Sequence, residues 1–164
     1  MEIRDFRSLL LAVRKFFPDC GKDSPVSVRL PRNDQSRELV ATMLEKKPMS
    51  LAQLSKEDLA LVDEILDDYR FSVTKVSFEG NRCFLTAGHG TDAKCLHYYK
   101  HVNGRECVTL GQILNQLLAC SDESGLKTSD FTILVLFGQN TAMELSTDGC
   151  ETDAKYGGIT LEVS

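Results

Sequence analysis

The chain predicts an α+β protein with a helical N-terminal part, an antiparallel β-meander in the middle and a helix–strand unit at the C-terminus. Three observations lead there. Apolar residues recur at helical spacing through most of the first 70 residues and again from Thr109. They alternate in strand fashion in the middle third, and Gly, Pro and Asn-Gly signals mark where the period changes.

Asp5 is an N-cap candidate ahead of Phe6, Leu9, Leu10, Val13, Phe16 and Phe17, which share one helical face, and Pro18 stops that helix. After the loop PDCGKDSP, the residues Val26, Val28 and Leu30 alternate with Ser27 and Arg29 as a short strand. A second helix is expected from about Gln35 to Lys46, broken by Pro48. Ser55 then opens a capping-box pattern, SKED, before Leu59, Val62, Ile65, Leu66 and Tyr69.

FSVTKVSFEGNRCFLTAG reads as a hairpin turning at Gly80-Asn81. That turn sets Glu79 opposite Arg82, Phe78 opposite Cys83 and Val76 opposite Leu85, an ion pair beside two apolar pairs. GHGTD is a loop, Cys95 to Val102 is strand-like, and Asn103-Gly104 signals a second hairpin returning through Arg105 to Val108. Thr109 caps a helix whose Leu110, Ile113, Leu114 and Leu117 face inward. A loop, SDESGLKTSD, precedes an alternating strand with Phe131, Ile133 and Val135, and ITLEV is a final strand. Residues 1–70 thus form a mainly helical part with one short strand and 71–164 a meander plus helix–strand unit, either apart or as one compact domain.

An internal echo joins the two ends. Asp5, Phe6, Leu9, Leu10 and Val13 match Thr109, Leu110, Ile113, Leu114 and Leu117 at a constant offset of 104. A helix, a polar loop and an alternating strand follow in both places, as two copies of one unit would give.

Of the 164 residues, 42% are hydrophobic and 26% charged, enough apolar mass for a core and too much for a disordered tail. The longest apolar runs are about five residues, too short to span a bilayer. The start, MEIRDFRSLL, lacks the pattern of a secretory signal, so the six cysteines are expected to be reduced thiols of a cytoplasmic protein. Net charge is −5, which gives no general attraction to nucleic acid or anionic membranes.

VTLGQILNQL, then TILVLF, then GGITLEV resembles a small module of phage-borne and bacterial proteins of unknown function, which reads T-V-G-E-L-I-x-x-L followed by a V-x-V strand and a final apolar strand. Thr109, Leu110, Gly111, Ile113 and Leu114 match in order, and Gln112 stands where the module prefers an acid. The resemblance covers residues 107–164. It implies a phage or mobile-element setting and carries no activity.

All three histidines and three of the cysteines fall between Cys83 and Cys107, in the order Cys83, His89, Cys95, His97, His101, Cys107. Thiolate and imidazole are the ligands zinc takes, but no C-x-x-C pair is present, and buried thiols with partly exposed histidines is the simpler reading. Cys95 with His97 or His101 also supplies the residue types of a thiolate nucleophile and its base, though no nucleophile motif surrounds them. GHGTD lacks the lysine and helix of a phosphate loop.

Residues 109–164 carry eight acids against two bases, an acidic surface suited to a basic protein partner. The leading expectation is therefore a small non-enzymatic accessory or inhibitor-type protein without cofactor, binding another protein through Asp148, Glu151 and Asp153. The alternative is a zinc- or cysteine-dependent hydrolase centred on Cys95, His97 and His101. Self-association to a homo-oligomer is a third, structural option.

Overall fold

The structure is a computed structural model that describes residues 2–45, 47–87, 96–98, 108–137, 141–146 and 158–163; of residues 43, 68, 69 and 96–98 only the backbone is described. Within these residues the protein is α+β, with helices α1 (Phe6–Phe16), α2 (Asp34–Glu45), α3 (Lys56–Asp68) and α4 (Leu110–Ser124). The strands are β1 (Glu2–Ile3), β2 (Val26–Arg29), β3 (Tyr69–Glu79), β4 (Arg82–Ala87), β5 (Leu96–Tyr98), β6 (Thr132–Phe137), β7 (Thr141–Met143), β8 (Leu145–Ser146) and β9 (Ile159–Val163). All nine join one mixed sheet, so β1 and β2 of the helical part and the strands of the remainder share it.

The helix ends follow the local chemistry. Asp5 Oδ1 accepts from the Ser8 N–H at 2.8 Å while the Asp5 N–H donates to Ser8 Oγ at 2.9 Å, a closed capping box. Thr109 and Gln112 form the same box on α4, at 3.2 and 2.9 Å. Gln112, the departure from the acid of the resembled module, is thus the reciprocal capping partner. Asn33 caps α2 through the Ser36 N–H at 2.8 Å, and Ser55 caps α3 through the Asp58 N–H at 3.1 Å. α4 runs through Ser121–Ser124, beyond the helix expected to stop at Cys120, until Gly125 at φ 74° turns the chain left-handed.

The hairpin has the register its turn dictates: Glu79 pairs with Arg82, Phe78 with Cys83 and Val76 with Leu85, with Gly80 at φ 59°. Past that hairpin the order is not a simple meander. β5 pairs antiparallel with β3, Phe71 opposite Leu96, while β2 holds the other edge of β3 at Val28–Phe71. β4 and β5 therefore follow one another along the same edge of β3. The free edge of β4 is taken by β6 in parallel, Cys83 opposite Ile133 and Ala87 opposite Phe137. The expected Asn103-Gly104 hairpin lies outside the described residues.

The sheet curls until its ends meet. Its order is β1-β8-β9-β2-β3-β4-β6-β7, yet β7 and β8 are separated by Glu144 alone. They are two halves of one bent strand, β7 paired with β6 and β8 with β9. The resulting barrel has a two-fold internal pattern. β2 runs parallel to β9, and β6 runs parallel to β4, so the strand after each capped helix pairs with the last strand of the other half. Where β8 and β6 diverge, β1 is wedged between them, and the Arg4 carbonyl accepts from the Ile133 N–H at 2.9 Å. Where β2 and β3 diverge, Val108 is wedged in the same manner, accepting from the Val26 N–H at 2.9 Å and donating to the Val73 carbonyl at 2.7 Å. Arg4 and Val108 are 104 residues apart, the offset of the two capped helices.

The interior is filled by alternate residues: Cys83, Leu85 and Ala87 of β4, Ile133, Val135 and Phe137 of β6, and Ile159, Leu161 and Val163 of β9 are all buried. Phe71 and Phe137 meet edge to face, centroids 5.6 Å apart. Ala87, opposite both Val73 and Phe137, is small enough to leave that space. Leu9, Ala12 and Val13 of α1 and Leu110, Ile113 and Leu117 of α4 bury their faces in the same core. The α2–α3 pair adds Val40, Ala41, Val62, Ile65 and Leu66.

Candidate docking face on the inserted hairpin

The two halves differ most between their first and second long strands. In the second half, β6 and β7 are joined across residues 138–140; in the first half, β2 and β3 are joined by the whole α2–α3 hairpin. The hairpin is held by ion pairs. Arg37 Nε donates to Asp63 Oδ1 at 2.8 Å and Arg37 Nη1 to Asp34 Oδ1 at 2.9 Å. The hydrogen bonds to Asp63 and then Asp34 raise the Arg37 pKa above its usual value. Arg32 Nη2 lies 3.2 Å from Asp67 and 3.8 Å from Asp63.

The outer face of α3 is left acidic. Val62, Ile65 and Leu66 turn inward, so Glu57, Asp58, Leu61 and Glu64 turn out, and Leu61 is 49% exposed. At helical spacing Glu57, Asp58 and Glu64 are the neighbours of Leu61, one turn before and after it. None of the three makes an ion pair among the described residues. The result is an apolar side chain ringed by uncompensated carboxylates, a surface that attracts cations around a greasy contact. The expectations from sequence assigned α3 only its buried face; the ring was visible as acids three and four residues from Leu61.

The residues singled out for chemistry are distributed differently. Asp148, Glu151, Asp153, His89, Cys95, His101 and Cys107 lie outside the described residues. Cys83 and His97 are placed by strand register. Cys83 pairs with Phe78 and His97 with Arg70, eight positions apart on β3, which is about 26 Å along a strand. One ion does not hold both. Cys83 is fully buried in the barrel, and that burial, with Cys120 a lesser cause, pushes its thiol up to about 12. It is a neutral core side chain at ordinary pH, not a thiolate. Cys20 donates weakly to the Gly158 carbonyl at 3.8 Å, tying the first loop to the start of β9. Among the described residues no group of three or more His, Cys, Asp or Glu is disposed to hold a metal ion.

Two further features lie apart from the hairpin in sequence. The N-terminus of α4 could bind an anion, but its Leu110 and Gly111 N–H groups donate to the carbonyls of Ser24 and Lys22 at 3.0 and 2.9 Å. A cleft of about 350 Å³ lies between β1 and β6, lined by Ile3, Arg4, Thr132, Ile133, Leu134 and Glu144, and Arg4 is paired there with Glu2. No described helix is long and apolar enough to cross a membrane. No protein family, curated protein or solved structure matches this chain.

Proposed function

We propose that this chain is a non-enzymatic accessory protein that acts by binding another protein through acidic surface, with the outer face of α3 as a docking element. The observation that carries the reading is the asymmetry of the barrel. Its second half connects β6 to β7 without a helical hairpin, so barrel closure does not demand α2 and α3. The added hairpin is fastened by Arg32 and Arg37, and it displays Leu61 within a ring of Glu57, Asp58 and Glu64. A half-exposed apolar anchor with surrounding charge is the composition of a weak, steered protein contact. Asp148, Glu151 and Asp153 extend the acidic character of the chain and belong to the same reading, as does a phage or mobile-element setting.

The test is affinity capture with partner identification by mass spectrometry, repeated with two charge reversals. The Glu57→Lys/Glu64→Lys variant is expected to lose the identified partner at least tenfold, and Asp148→Lys/Glu151→Lys/Asp153→Lys to weaken it. Undiminished binding by both variants refutes acidic docking.

A further inference from the structure

Resting on α3 as a docking face, we propose that its partner is α1 of a second copy of this chain. α1 carries the complementary pattern. Leu11 is 50% exposed, and its neighbours one turn away are Arg7, Arg14 and Lys15, all exposed. Arg7 and Arg14 make no ion pair among the described residues, and Lys15 lies over its own neighbour Phe16, 5.2 Å from the ring centroid. Three cations around one half-exposed leucine thus face three carboxylates around another. With the two helices antiparallel, Leu61 set against Leu11 removes both apolar side chains from water and brings Glu57 opposite Arg14, Asp58 opposite Lys15 and Glu64 opposite Arg7.

The internal repeat supplies a control. α4 occupies in the second half the place α1 has in the first, and at the offset of 104 the positions of Arg7, Leu11, Arg14 and Lys15 are Gly111, Asn115, Leu118 and Ala119. The barrel therefore accepts a helix at that place with no charge ring. The cations of α1, like the carboxylates on the outer face of α3, lie on solvent-exposed positions outside the packed core. Because the two surfaces differ, the contact is heterologous: each copy offers one α1 and one α3, so copies join head to tail unless the rotation closes a ring. A single helix-on-helix patch lies at the small end of protein interfaces, which makes the association weak and salt-sensitive.

Sedimentation velocity of the full chain tests this. The weight-average mass is expected to rise between about 10 μM and about 1 mM at low salt, and to fall back to the monomer near 0.5 M salt, where screening is short-ranged (~4 Å). Arg7→Glu and Glu64→Arg are each expected to abolish the rise, and an equimolar mixture of the two to restore it. In that mixture one contact is native and the other is the reversed pair, so rescue reports the α1–α3 contact itself and not folding. A chain that stays monomeric to about 1 mM, or associates equally well with either substitution, overturns the proposal. If it is monomeric while Glu57→Lys/Glu64→Lys still releases a different captured protein, self-docking fails and the docking role of α3 stands. If that variant also keeps its partner, both fail.

Discussion

Truncating the two aromatic rings in the barrel interior measures whether the sheet closes as described. Phe71 comes from β3 in the first half and Phe137 from β6 in the second, 0% and 1% exposed. Their rings meet at 5.6 Å and 83° across the gap left by Ala87. Each Phe→Leu change is expected to cost about 1–3 kcal/mol, more than a volume-conserving swap and less than truncation to alanine. The edge-to-face contact itself should appear as a coupling of about 0.5–1.5 kcal/mol, so the double variant is less destabilised than the sum of the singles by that amount. Urea unfolding of the four proteins, with midpoints converted at a common slope, reads the cycle. Additivity to within about 0.3 kcal/mol would mean the rings do not touch, and would refute an interior shared by the two halves.

Four other outcomes follow from the same structure. Thr109→Ala and Asp5→Ala each remove one capping box and should each lower stability by about 1 kcal/mol in the same urea assay. Between pH 9.0, the ordinary value for a cysteine thiol, and about 12, the unfolded chain has lost the Cys83 proton and the folded chain keeps it. Stability should therefore fall as pH rises through that window, with Cys83 contributing up to about 1.4 kcal/mol per pH unit, and Cys83→Ala should flatten the slope. In the folded protein near pH 8, Cys83 should resist alkylation, read by mass spectrometry of its peptide, and react only on unfolding. Arg37→Met should speed amide exchange at Val62, Ile65 and Leu66 while leaving β4 and β6 protected, because it releases Asp63 and Asp34 without touching the barrel.

What could be read from the residues alone was what neighbours in sequence decide. The Gly80-Asn81 turn set the β3–β4 register, and Asp5, Ser55 and Thr109 announced three helix starts. Elements escaped where they were short or where their partner was remote. β1 and β8 are two residues each, below the length at which alternation is a signal. The last turn of α4, Ser121 to Ser124, is polar because it lies beyond the packed face, and Gly125 rather than hydrophobic period marks its end. The parallel pairs are another matter. Val26 meets Ile159 and Arg82 meets Thr132, and no local pattern says which of several apolar strands takes which edge. The site was legible in a different way: the acids around Leu61 and the bases around Leu11, the latter part of a basic stripe of Arg4, Arg7, Arg14 and Lys15, stand at helical spacing in the sequence, but no local pattern relates one exposed helix face to another.

The repeated architecture bears on function through its departures from symmetry. Two β–α–β units that exchange strands need a capped helix, a wedge residue and three strands from each half to close the barrel, and both halves supply these. Arg4 and Val108 share a role at the wedge although one side chain is charged and the other apolar, because the carbonyl does the work there. Residues that differ between the halves and lie outside that common set are not explained by closure. The α2–α3 hairpin and the cationic face of α1 are two such differences among the described residues; they are opposite in charge, and each carries one half-exposed leucine, whereas the half-exposed Leu118 of α4 has no such ring of charge. Contact between the two rings in a second molecule gives them a common physical cause, and the rescue of Arg7→Glu by Glu64→Arg isolates it.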